Sequence, residues 1–112
     1  MKIEELKTPA FLVDLPKLKS NIHAMKERAR THGVRLRPHV KTHKTAEIAG
    51  LQIADEASGI TVSTLAEAHF FQKAGFDDIT YAFPITPSKL DEAAELTDRL
   101  KHFHILSQKA GC

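Results

Sequence analysis

From Val34 to Leu106 the chain alternates short apolar or β-branched runs with helix-forming stretches, and this alternation constrains the fold more than any other feature. Candidate strands lie at Val34–Val40, Ile60–Ser63, Asp78–Phe83 and Phe103–Leu106. Between them, helical patterning covers Ala46–Ala57, Thr64 to about Ala74, and Thr86-Pro87 through about Leu100. Parallel neighbours cannot be joined by a tight turn, so the repeated strand–helix–strand order argues for a parallel sheet with crossover helices, an α/β fold. Ser58-Gly59, Gly75 and Pro84 punctuate the elements. Pro38 requires the first of these strands to end, or to run unpaired, near that residue. Thr64 and Glu67 form a T-x-x-E capping box, and Gly50 weakens the helix that contains it. Ahead of the alternation, Ala10–Val13 reads as one more strand. Asp14 then caps a helix that tolerates Pro16 in its first turn, buries Leu15, Leu18, Ile22, Met25 and Ala29 on one face, and stops at Gly33.

Composition narrows the function classes. A chain of 112 residues with 42% hydrophobic and 27% charged residues fits one small globular domain. Sixteen basic against 14 acidic residues leave a net charge of +2, too little to argue for nucleic acid. No apolar run is long enough to cross a membrane, and the charged start Met1–Lys7 is no signal peptide. A single cysteine, Cys112, excludes an internal disulfide framework, which fits a cytoplasmic protein. No G-x-G-x-x-G loop follows any strand, which weakens a dinucleotide reading.

The segment Arg35–Lys44, RLRPHVKTHK, holds four cations (Arg35, Arg37, Lys41, Lys44) and two histidines (His39, His43) without an acid. It lies where a strand passes into a helix, and α/β folds concentrate functional groups at the C-terminal ends of strands. One reading is a solvated basic turn. A second is a metal pair at His39 and His43, four residues apart; Pro38, Val40 and Thr42 argue against a helix there, and no Glu adjoins His39. A third is a lysine nucleophile near an anion, since neighbouring cations and apolar surroundings favour a neutral amine. Lys41 is the central cation of the run, with Val40 beside it. Elsewhere, Thr64 reads as a helix cap, Tyr81 as a mouth or core residue, and His69, His102 and His104 as surface or strand-end residues.

R-P-H-V-K-T-H-K-T, preceded by T-P-A-F-L-V-D-L and a helix containing Asn21, resembles the D-serine dehydratase and D-threonine aldolase family. Those are pyridoxal-phosphate enzymes of the alanine racemase fold type. Gln52, V-S-T-L-A-E-A (Val62–Ala68), A-G-F-D-D-I (Ala74–Ile79) and F-P-I (Phe83–Ile85) follow in the family's order, from about Thr8 to Leu106. The resemblance implies that Lys41 is the Schiff-base lysine at the mouth of a (β/α)8 barrel, and that His39 lines the cofactor pocket unless it only satisfies its own turn. It further implies a lyase acting on small D-3-hydroxyamino acids. The V-S-T-L-A-E-A version favours the D-serine dehydratase branch, which forms pyruvate and ammonia. D-threonine aldolase-like cleavage to glycine and an aldehyde is the alternative. A homodimer is expected, without nucleic-acid or membrane partners.

A complete barrel takes about 250 residues and eight strands. Four strand candidates after the first helix therefore amount to about half a barrel, with Ala10–Val13 expected to join an absent C-terminal β-domain. The divalent metal of the family, zinc or manganese, finds no ligands in this sequence, and Cys112 does not replace the family's metal cysteine. Unpaired strand edges favour association. A non-catalytic fragment is thus the competing expectation, and a basic nucleic-acid patch a third.

Overall fold

The computed structural model describes residues 2–54, 56 and 58–108, so Ala57 and Cys112 lie outside the described residues. Asp14 opens helix α1 (Leu15–Thr31): its carboxylate accepts from the Lys17 N–H at 3.1 Å, and Pro16 sits in the first turn. Gly33 at φ +65° closes the helix, with the Val34 N–H reaching back to the Ala29 carbonyl at 3.0 Å. The expected apolar face forms but is only partly covered. Ala29 is buried and Leu18 and Ile22 are half-buried, whereas Leu15 and Met25 remain exposed.

Helix α2 (Ala46–Ile53) stops short of the expected Ala57. Ala54 turns extended, and the Lys26 ammonium of α1 donates to the carbonyls of Leu51 at 3.1 Å and Ala54 at 2.8 Å. A side chain thus satisfies the freed carbonyls that another helical turn would have used. Gly50 does not break the helix.

Strands β1 (Ile60–Val62), β2 (Asp78–Pro84) and β3 (His102–Leu106) form a parallel sheet in the order β1-β2-β3. Helix α3 (Leu65–Lys73) crosses from β1 to β2. A 3-10 turn (Pro87–Lys89) leads into α4 (Leu90–Arg99), which crosses from β2 to β3. Alternation divides the sheet into two faces. Ile60, Val62, Ile79 and Tyr81 point under the helices and join Val40, Leu65, Phe71 and Leu96 in the core. Tyr81, which sequence left open between mouth and core, is a core residue at 1% exposed.

Two expected strands differ. Val34–Val40 contributes a single parallel bridge, His39 to Thr61, instead of a continuous strand. The Thr61 N–H donates to the Pro38 carbonyl at 2.8 Å, and the Val40 N–H to the Thr61 carbonyl at 3.0 Å. Continuing the ladder backwards requires a Pro38 N–H, which proline lacks, and the Ser58 hydroxyl takes the Leu36 carbonyl instead. Continuing forwards requires the Val40 carbonyl, which already accepts from the Lys44 N–H at 2.8 Å. Ala10–Val13 forms no strand. Phe11, Leu12 and Val13 are exposed, and no backbone in the described residues pairs with them.

At the N-terminal end of the sheet, the Arg37 guanidinium grips Asp78 with both nitrogens, at 2.6 and 3.2 Å. The pair passes directly over Gly59. A Cβ there would collide with the Asp78 carbonyl oxygen and Arg37 Nη1. Gly59→Ala is therefore expected to cost about 1–3 kcal/mol through overpacking. A urea midpoint equal to that of the parent chain would refute this. Arg37, through its hydrogen bond, holds the Asp78 carboxyl below its ordinary value against the opposing effect of burial; its charge adds to this, with smaller help from His102 and His104. A carboxyl held low in the folded state stabilises above the unfolded value near pH 3.8 and loses that contribution as pH falls through the folded value. Asp78→Asn should flatten the acid limb of the stability–pH curve, measured by denaturation between about pH 5 and pH 2.

Candidate active site

The single bridge places the end of the His39 segment beside the C-terminal end of β1, at the same edge of the sheet as Ser63 and Thr64. Lys41 follows immediately, exposed, as the first residue of a turn. That turn closes through the Lys44-to-Val40 hydrogen bond and puts Lys44 at φ +50°, a left-handed conformation uncommon for a residue with a side chain. His43 and Lys44 therefore lie in the turn ahead of α2, and Thr45 is the N-cap residue.

The two histidines of the segment do different work. His39 Nδ1 accepts the Lys41 backbone N–H at 3.2 Å, which leaves the proton of the neutral ring on Nε2. His43 Nδ1 accepts from the Thr45 N–H at 3.0 Å, and its Nε2 meets Gln52 Oε1 at 2.9 Å. The second ring thus fastens the turn to α2 and serves as the cap that Thr45 itself does not supply. With one ring turned to the Lys41 amide and the other to Gln52, the pair does not make a metal site. Among the described residues, no group of three His, Cys, Asp or Glu side chains is placed to hold a metal ion.

The basic run is dispersed as well. Arg37 is committed to Asp78 at the opposite end of the sheet, so Lys41 and Lys44 are the cations of this turn. Burial, then the nearby Lys41 charge, hold the His39 imidazole below its ordinary value, and the Glu67 carboxylate partly opposes them. A neutral ring thus stands next to an exposed primary amine.

Behind the turn, the cap of α3 is richer than a two-residue box. The Thr64 hydroxyl accepts the Glu67 N–H at 3.0 Å, as expected of a helix cap. Glu67 Oε2 accepts hydroxyl protons from Thr64 at 2.7 Å and Ser63 at 2.8 Å. Glu67 is 7% exposed, and its Oε1 is buried without a hydrogen-bond partner among the described residues. Its carboxyl is nonetheless held below the ordinary value: burial pushes it up, and the Thr64 and Ser63 hydrogen bonds, with the Lys44 charge, outweigh that. A lone Glu in a T-x-x-E pattern carries no signal of such burial.

His104 is exposed on β3, in keeping with the expectation of a surface or strand-end residue, but it also falls in a cross-sheet row. Pairing aligns His39 with Thr61, Thr61 with Thr80, and Thr80 with His104, all on the face away from the helices. One row of polar side chains crosses the sheet from the candidate lysine segment to β3, and counting strand parity across the sheet would have found it. His102 pairs with Asp78 at the lower end. His69 meets Glu92 at 3.0 Å between α3 and α4, outside this face.

Residues 13–105 match the alanine racemase N-terminal domain family. The chain belongs to that family. It is 50% identical over 94 residues to a D-threo-3-hydroxyaspartate dehydratase of Delftia sp. strain HT23, covering 84% of this chain and 25% of the relative. The solved structure of that dehydratase superposes with a TM-score of 0.88 at 45% identity, over 94% of this chain and 28% of the other. A D-serine dehydratase of Dictyostelium discoideum is 46% identical over 99 residues, covering 84% and 25% of the two chains. A D-threonine aldolase of Arthrobacter sp. is 42% identical over 84 residues, covering 74% and 22%. The chain thus spans about a quarter of the length of these curated relatives. Its parallel strands and crossover helices are part of that larger fold.

Because the Lys41 N–H bond requires an unprotonated Nδ1, acid should undo it. A folded value below the unfolded 6.5 means the unfolded chain takes the proton first. The stabilising contribution is therefore present above about pH 6.5 and is lost as pH falls towards the folded value. Histidine C2-hydrogen exchange, followed by mass spectrometry, should give His39 a midpoint below 6.5; a midpoint at or above it would contradict the geometry.

Proposed function

We propose that this segment carries the cofactor lysine of a pyridoxal-phosphate-dependent lyase acting on D-3-hydroxyamino acids, with Lys41 as the Schiff-base residue and His39 lining the pocket. The observation that carries the reading is the exposed Lys41, two residues past the His39–Thr61 bridge and beside the C-terminal end of β1, with its backbone N–H held by His39. The residues present fit the cofactor. A primary amine suits its aldehyde, a neutral imidazole adjoins it, and Lys41 and Lys44 give the turn a positive charge that favours a phosphate-bearing partner. Bound there, pyridoxal phosphate would supply an electron sink for bond breaking at the substrate Cα.

Lys41 Nζ would hold the cofactor through its aldehyde, and the same amine, standing on one side of a bound substrate, would be the group placed to take a proton from Cα. A base on one side selects one enantiomer, which suits a D-amino acid. A D-serine dehydratase-like reaction is preferred, and 42% identity to a D-threonine aldolase keeps Cα–Cβ cleavage as the second reading. The described residues bring together no group of three His, Cys, Asp or Glu side chains that could hold a divalent metal. In this reading residues 1–112 are the N-terminal part of the barrel, 10–13 pair with a strand of a β-domain, and the full assembly is a cytoplasmic homodimer.

Loading with pyridoxal phosphate, borohydride reduction and peptide mapping should place the label on Lys41, and Lys41→Ala should abolish labelling. Label on Lys44 or on any other lysine would defeat the assignment.

A further inference from the structure

Among the described residues, Lys44 is the one non-glycine held at positive φ, at +50°. There its Cβ crowds the following carbonyl oxygen, and such a conformation persists only where surrounding contacts over-determine it. Two hydrogen bonds bracket the residue. Its own N–H donates to the Val40 carbonyl at 2.8 Å and closes the turn in which Lys41 lies. On the far side, the Thr45 N–H donates to His43 Nδ1 at 3.0 Å, with the Thr45 hydroxyl 3.1 Å from the same nitrogen.

The ring can do this in one tautomer. A backbone N–H cannot accept, so Nδ1 is bare and the neutral ring carries its proton on Nε2. Gln52 Oε1, 2.9 Å away, is the acceptor that this proton needs; a side-chain amide turned the other way would set donor against donor. Gln52 is anchored in turn. It is half-buried in the last turn of α2, and the carbonyls of Leu51 and Ala54 that flank it accept from the Lys26 ammonium of α1.

We propose that His43 and Gln52 are positioning residues for Lys41: the Gln52–His43–Thr45 contacts offset the left-handed backbone of Lys44, keep the turn closed, and so fix the direction in which Lys41 leaves the sheet. Val40 ties the start of the turn to β1 and the core, and the histidine ties its end to α2. Lys41 stands between the two ties, its own N–H held by His39 Nδ1. The value of that direction rests on the reading of Lys41 as the cofactor lysine. The contacts that offset the strain do not, and backbone amides report on them without cofactor.

The measurement is amide hydrogen exchange in the 112-residue chain, expressed as protection relative to an unstructured chain. His43→Ala should lower protection at Thr45, Lys44 and Lys41 by about fivefold, the scale of one net hydrogen bond. Gln52→Ala should lower it by about two- to fivefold at the same amides, because the ring stays while its tautomer and orientation are released. Adding Lys44→Gly to His43→Ala removes the Cβ conflict. Protection at positions 44 and 41 should then return to within about twofold of the parent, while Thr45, whose acceptor is gone, stays at its lowered value. Parent-like protection at Thr45 and Lys44 in His43→Ala overturns the proposal. A loss at position 44 that Lys44→Gly leaves in place overturns the offset of strain, and unchanged protection at Lys41 overturns its positioning; either result makes His43 a helix cap alone. Should His43→Ala fail to fold, Gln52→Ala with and without Lys44→Gly makes the same comparison. Cofactor label away from Lys41 would defeat the functional reading and leave the amide results standing, so the two fail separately.

Discussion

Two backbone hydrogen bonds attach the candidate lysine to the rest of the molecule: Thr61 to the Pro38 carbonyl, and Val40 to the Thr61 carbonyl. Everything on either side of them is arranged so that the contact stays this short. Proline removes the donor that would lengthen the ladder in one direction, and the Val40–Lys44 turn consumes the acceptor that would lengthen it in the other. Val40 is fully buried against the helices, so the segment is pinned by packing as well as by pairing. The residue after the pin is free to leave the sheet, and that residue is Lys41.

The pin divides a run of like charges. In the sequence, Arg37 and Lys41 look like members of one basic patch. An extended backbone separates residues four apart by roughly 13 Å. Arg37 is left at the lower end, where Asp78 neutralises it over Gly59, and Lys41 at the upper end. The lower pair secures the geometry on which the upper end depends, because it joins the first barrel segment to β2 across the start of β1.

Much of this was legible in the sequence, and the parts that were not have physical reasons. Helix starts at Asp14 and Thr64, the stop at Gly33 and the order of parallel strands follow from local residue chemistry. The extent of the Val34–Val40 strand depends on which carbonyls its neighbours occupy, and α2 ends where Lys26 reaches it from another helix. Those are tertiary facts. The proposal for Lys41 comes from its motif, because no packing or pairing in the fold marks that lysine out. The work of Glu67 was hidden, because capping explains one oxygen of its carboxylate, and only burial reveals that the other has nothing to bind. His104 was hidden for a different reason: its membership of the His39 row exists only once the register of the strands is known.

Tyr81 has a practical consequence. The chain contains no tryptophan and one tyrosine, and that tyrosine lies at the centre of the core. The face that carries Lys41 is therefore optically quiet in the near ultraviolet. Any chromophore attached to the lysine can be followed against almost no protein background, while the emission of the single phenol independently reports whether the sheet and helices beneath it are still packed.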